Sequence, residues 1–109
     1  MEKILQGVGV SSGKIRGKVK VILEKTDWPS FQNGDILVTR ITDPTMVPLM
    51  SKAGGIICDI GAMMSHPAIV AREMGIPCVV GTRDATVRLR NGQLVEMDGK
   101  TGEVFALEK

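Results

Sequence analysis

Hydrophobic and polar residues alternate at period two along Lys18–Leu23 (KVKVIL), the spacing of a half-buried strand. Asp35–Thr39 (DILVT) predicts a second strand, reached through the turn pair Asn33-Gly34. The period then changes. Thr42 or Asp43 is placed to cap a helix with Pro44 in its first turn. Met46, Val47, Leu49 and Met50 give that helix an apolar face, and it ends near Lys52 before Gly54-Gly55. Ile56–Cys58 and Cys78–Val80 are short, wholly apolar runs of the kind buried on both faces in parallel sheets. Between them a second helix is framed by Ser65 as N-cap, Pro67 in the first turn, Gly75 as C-cap and Pro77 just beyond. Its pattern assigns Ile69, Val70 and Met74 to the buried side and Arg72-Glu73 to solvent. Val87–Arg90 and Leu94–Met97 flank Asn91-Gly92, which predicts a hairpin with a type I′ turn; Asp98-Gly99 then leads into a last strand near Val104–Leu107. The sum is an α/β chain of about seven short strands with two or three helices.

The 109 residues (11.7 kDa) show no internal repeat and no Ser/Pro-rich linker, so residues 1–109 are expected to form one domain. Surface scaling gives such a mass a folded surface of roughly 5,900 Å² against about 17,000 Å² unfolded, enough burial for a self-sufficient core. Disulfides are not required. Cys58 and Cys78 lie within apolar runs and no secretory leader is evident, which fits buried thiols in a reducing, cytoplasmic setting. Fourteen basic against twelve acidic residues leave a net charge of +2, and Trp28, Phe31 and Phe105 are the only aromatics. That offers neither a phosphate-tracking stripe nor a stacking platform, which argues against nucleic-acid binding. No apolar stretch is long enough to span a bilayer.

The start Gly7-Val8-Gly9-Val10-Ser11-Ser12-Gly13-Lys14 has the glycines of a phosphate loop but not their spacing. A P-loop needs glycine where Val8 stands and Ser or Thr where Ile15 stands, so the segment is expected to be a glycine-rich turn. One histidine and two separated cysteines do not make a zinc site. Asp59 has the chemistry to contribute to a magnesium site, but a lone Asp in a loop fits a turn-forming role better. His66 is distinctive because it directly follows the expected N-cap, where its ring meets solvent and the positive end of the helix dipole favours an anion beside it.

The run from Gly54 to Gly81 (GGIICDIGAMMSHPAIVAREMGIPCVVG) closely resembles the signature of the mobile domain of phosphoenolpyruvate-utilising enzymes. This is the swivelling phosphohistidine domain found in phosphoenolpyruvate synthase, pyruvate phosphate dikinase and rifampin phosphotransferase. The likeness extends to Gly7–Val21, to Gly34–Met50 and to the closing turn Asp98–Val104. It implies a swivelling β/β/α fold in which His66 accepts a phosphoryl group at one active site and carries it to another. Ser65, Gly61 and Met64 would bind phosphate or position the histidine, with Asp59 and Arg72 as further candidates. Because Arg72 lies six positions after His66, off the same helical face, a structural contact suits it better than a phosphate contact. The resemblance further implies partners in trans: an ATP-grasp nucleotide-binding domain and a phosphoenolpyruvate/pyruvate-type or other acceptor domain. The chain itself is expected to bind no cofactor or metal, with Mg arriving with ATP at the partner, and to turn nothing over alone.

Three positions depart from the commonest form of the motif. Ala62 stands for a glycine, Met64 for a threonine and Pro67 for a small residue. Met64 removes the hydroxyl through which regulated dikinases are controlled, and is similar to the rifampin phosphotransferase-like branch. Ala62 matters if the loop needs positive φ there. The alternative to a carrier is a noncatalytic docking or regulatory subunit that keeps the fold.

Overall fold

The computed structural model describes residues 1–107, whose eight strands form one strongly curved mixed sheet. The strands are β1 (Glu2–Gln6), β2 (Val8–Ser11), β3 (Lys14–Val21), β4 (Ile36–Thr39), β5 (Gly55–Cys58), β6 (Cys78–Val80), β7 (Leu94–Asp98) and β8 (Glu103–Ala106). The helices are α1 (Val47–Met50), α2 (His66–Met74) and α3 (Ala85–Arg88), with 3₁₀ turns at Lys25–Ser30 and Pro44–Met46. Spatial order is β1-β8-β7-β3-β4-β5-β6-β2.

One strand, β3, serves both halves of the sheet. Lys14–Lys18 of β3 pair antiparallel with β7, whereas Val19–Val21 pair parallel with β4. β1 and β2, separated only by Gly7, lie at opposite ends of the strand order and pair with β8 and β6 respectively. The sheet therefore folds over into two layers, β1-β8-β7-β3 and β3-β4-β5-β6-β2. Alternation in the central strands serves both sides: Ile36, Val38, Ile57 and Val79 point between the layers with Leu5, Val95, Met97 and Val104. Leu37, Ile56, Cys58, Cys78 and Val80 point to the outer face, where Met46, Leu49, Met50, Ala68 and Ala71 cover them. This is a β/β/α arrangement, with an accessible surface of 5873 Å² that agrees with the value scaling gives for the mass.

Several expectations are corrected. The glycine-bearing start is not merely a turn, because Val8–Ser11 pairs with β6 as an edge strand. The strand expected at Lys18–Leu23 begins four residues earlier and ends at Val21. The helix expected to reach Lys52 is divided into a 3₁₀ turn and a short α1, since Pro48 has no N–H to continue an i→i−4 ladder. Val87–Arg90 is not a strand of a hairpin. Ala85–Arg88 form α3, and β7 pairs instead with β3 and β8. Finally, α2 is rotated from the expected face. It buries Pro67, Ala68 and Ala71, leaving Ile69 and Met74 exposed, because the small alanines let the helix approach β6 and β2 closely.

Candidate functional site

The ends of the parallel strands β4 and β5 assemble the site. Thr39 leads through Arg40 and Ile41 to Thr42, and Cys58 leads through Asp59 to the loop that starts α2. Backbone bonds from Asp59 N to Thr39 O (3.1 Å) and Ile60 N to Arg40 O (3.0 Å) keep the two exits side by side.

His66 is the first residue of α2 and is half-buried. Its Nδ1 lies 2.7 Å from Oγ1 of the buried Thr42, which leaves Nε2 as the ring nitrogen available for chemistry. Sequence reasoning missed this partner. Thr42 was legible only as a helix cap, and 24 positions separate it from His66. The cap falls instead to Asp43, whose carboxylate accepts from Thr45 N (2.8 Å) and from the Thr45 hydroxyl. The Thr45 hydroxyl and amide hold the Asp43 carboxyl below the usual carboxylate range, with a smaller contribution from the charge of nearby His66.

The loop before His66 is a tight structure. Gly61 has φ +131°, and a Cβ there would stand 2.9 Å from Ser65 Oγ and 3.2 Å from Val80 Cβ. Glycine is therefore required by both conformation and space. Ala62 has no positive φ, so the loop does not need a second glycine at that place. Met64 is exposed (76%) and Met63 is half-exposed, leaving apolar side chains around the histidine.

Ser65 occupies the N-cap position, yet its hydroxyl does not cap the helix, contrary to expectation. Oγ donates to Ala62 O (2.7 Å) and accepts from Ala62 N (3.2 Å). The hydroxyl is held by Ala62, and one of the two amides it could cap is removed by Pro67. This proline sits at the second helical position, where a capping hydroxyl would seek an amide, and has no N–H to give. Among the described residues, the amides of His66 and Ala68 have no hydrogen-bond acceptor, and no acidic residue lies in the first turn. Free N–H groups at the positive end of a helix dipole are suited to an oxyanion.

The remaining candidates fall farther from the ring. The Asp59 carboxylate accepts from Thr86 N (2.9 Å) and Thr86 Oγ1 (2.6 Å), so it is engaged in holding the start of α3. Arg72 donates to Val10 O (3.0 Å) and Met63 O (2.8 Å). Beneath α2, burial pushes the Cys78 thiol up to about 12 and the Cys58 thiol well above its ordinary value, and both cysteines are free. Among the described residues no three His, Cys, Asp or Glu side chains gather as a metal site, and no helix is long and apolar enough to cross a membrane.

Comparison with known proteins gives this geometry its context. Residues 31–102, about two-thirds of the chain, match the family described as PEP-utilising enzyme, mobile domain. The chain belongs to that family. It is 49% identical over 104 residues to the phosphoenolpyruvate synthase of Pyrococcus furiosus, a match that covers 95% of this chain but 13% of that protein. The chain thus spans about one-eighth of the length of this relative. The NMR structure of an Enzyme I protein is 32% identical with a TM-score of 0.61, over 71% of this chain and 32% of that one. A chain of Thermococcus kodakaraensis aconitase X superposes with a TM-score of 0.71 over 95% of this chain and 98% of its own. Its 24% identity carries the likeness of fold alone.

Proposed function

We propose that this mobile domain is a phosphoryl carrier in which His66 Nε2 is the nucleophile. The observation that carries the reading is the 2.7 Å contact between His66 Nδ1 and Thr42 Oγ1, made at the start of a helix whose first amides are free. In the tautomer that leaves Nε2 unprotonated, Nδ1–H donates to Oγ1 and fixes the ring. The Nε2 lone pair attacks phosphorus in line, the bond from phosphorus to the donor's leaving oxygen breaks, and the phosphoryl group rests on Nε2. Positive charge developing on the ring is shared with the Thr42 oxygen through Nδ1–H, while the amides of His66 and Ala68 face the phosphoryl oxygens. The second transfer repeats the displacement, with an acceptor oxygen attacking and Nε2 leaving.

Residues 1–109 act in this reading as one phosphohistidine domain that carries the phosphoryl group between the sites of partner domains. The donor site is an ATP-grasp domain, where Mg arrives with ATP; the acceptor site is of the phosphoenolpyruvate/pyruvate type or handles another acceptor. A cytoplasmic setting suits two buried, free thiols. Gly61, Ser65 and the Met64 backbone present the histidine, and Ala62 takes no positive φ in the loop. The geometry therefore favours a carrier over a docking subunit that has lost the chemistry.

The test is intact mass and phosphorus NMR of the chain after incubation with ATP-Mg or phosphoenolpyruvate plus a cell lysate. A parallel sample receives phosphoramidate, a small donor whose P–N bond breaks with release of ammonia. An acid-labile phosphoryl group on the wild type and none on His66→Ala is expected. Absence of label from every donor, while a known swivelling domain is labelled in parallel, would remove the carrier reading.

A further inference from the structure

The edge strand β2 carries an irregularity that has no use within the sheet. Gly9 faces Val79 and Ser11 faces Cys78, so Val10 is an extra residue bulged out of the ladder with β6. Its side chain is buried in the outer core, while its carbonyl accepts from Nη1 of Arg72 at 3.0 Å. The other terminal nitrogen of the same guanidinium donates to Met63 O at 2.8 Å, and Nη1 also lies 3.6 Å from Met63 Sδ. Arg72 thus links a fixed point on the sheet to the loop residue three positions before His66.

We infer that Arg72 is a positioning residue, a strut between the Val10 bulge and the Met63 carbonyl that holds the Gly61–Ser65 loop and so fixes where His66 presents Nε2. This rests on the carrier reading for its functional consequence, though the strut itself exists before any phosphoryl group arrives. The loop needs such support. Its own bonds, Ser65 Oγ with Ala62 and Ser65 N to Ala62 O (3.0 Å), close it upon itself but do not tie it to the sheet at Met63. The planar guanidinium offers two terminal nitrogens in a fixed fork that meets carbonyls on two elements at once, and bonds from a charged donor are about twice as strong as neutral ones. The same geometry accounts for the six-residue spacing from His66. Arg72 reaches back along α2 to the loop backbone rather than standing on the histidine's face.

The experiment compares the wild-type chain with Arg72→Gln, Arg72→Lys and, as control, Glu73→Gln, each checked for native thiol protection at Cys58 and Cys78. Two quantities are read: backbone order parameters of residues 62–65 in the unphosphorylated chain, and the rate of labelling by phosphoramidate. In Arg72→Gln the order parameters of Met63 and Met64 are expected to fall from about 0.85 to below about 0.6, and labelling to slow by about tenfold. Arg72→Lys, which keeps the charge but reaches one carbonyl, falls between, and Glu73→Gln matches the wild type. Unchanged loop order in Arg72→Gln overturns the strut. Slower labelling without a change in order also overturns it, because Arg72 would then act on the phosphoryl group directly. Should the wild type accept no phosphoryl group, the carrier reading fails while the order parameters still decide whether the strut exists.

Discussion

Apart from α1, which continues directly from the Pro44–Met46 turn with no side-chain cap of its own, the helical segments of this molecule begin in two different ways. The 3₁₀ turn Lys25–Ser30 is preceded by amides of Leu23 and Glu24 that both donate to the Asp27 carboxylate, at 2.9 and 3.0 Å. The Pro44–Met46 turn is capped by Asp43, and α3 is held by Asp59 through Thr86. Each of these starts is closed by a carboxylate from this chain. At α2 the N-cap hydroxyl is turned back into its own loop, the second position is proline, and no acidic residue lies in the first turn. A start closed by a carboxylate is finished as structure, whereas one left with free amides and a histidine is prepared for an anion that arrives from elsewhere.

Removing the contact that distinguishes the α2 site has the largest expected effect after loss of His66 itself. Thr42→Val leaves Nδ1 without a partner in a half-buried position, and labelling should slow by roughly 10- to 100-fold, with about 1–2 kcal/mol lost from stability in urea titration. Gly61→Ala comes next. A Cβ at φ +131° beside Ser65 Oγ strains the loop, and the expected destabilisation is about 1–3 kcal/mol, read as a lower urea midpoint with unchanged slope. Ser65→Asp would convert the open start into the closed kind. A carboxylate near the helix dipole should raise stability by up to about 1 kcal/mol while slowing labelling several-fold through like-charge repulsion. Faster labelling in that variant would contradict the reading of the free amides as an anion site.

The smallest effect concerns pH. Asp43 has a carboxyl held down chiefly by the Thr45 hydroxyl and amide; Asp27 is lowered by the amides of Leu23 and Glu24, and Asp98 chiefly by the amide of Lys100. For a lowered carboxyl the unfolded chain binds more protons, so its contribution is present above the ordinary value near 3.8 and is lost as pH falls through the lowered one. Urea midpoints should therefore drop between about pH 4.5 and 2.5. Asp43→Asn should make that drop shallower.

Much of this was readable in the sequence, for reasons that differ by region. The centre of the sheet was legible because Ile56–Cys58 and Cys78–Val80 are apolar throughout, and α2 was legible at both ends because Ser65, Pro67, Gly75 and Pro77 are local signals. Gly75 does adopt the left-handed conformation of a C-cap, at φ 71°. What escaped depends on distant partners. Val87–Arg90 alternates like a strand, but Asp59, 27 positions before Thr86, settles it as a helical turn. β2 looked like punctuation because Gly9 and the flanking Gly7 and Gly13 mask a pairing with β6, some 70 residues away. At the site, His66 and its loop could be named from the motif. Its ring partner could not, since nothing local to Thr42 points to a residue 24 positions on.

The central claim is that Thr42 holds Nδ1 and leaves Nε2 to carry the phosphoryl group. Nitrogen-15 NMR of the chain labelled in its histidine, recorded before and after phosphorylation, tests this most directly. The account predicts that phosphorus couples to Nε2 while Nδ1 remains protonated and bonded to Thr42. Phosphorus coupled to Nδ1 would contradict it, since the phosphoryl group would then occupy the position assigned to the threonine.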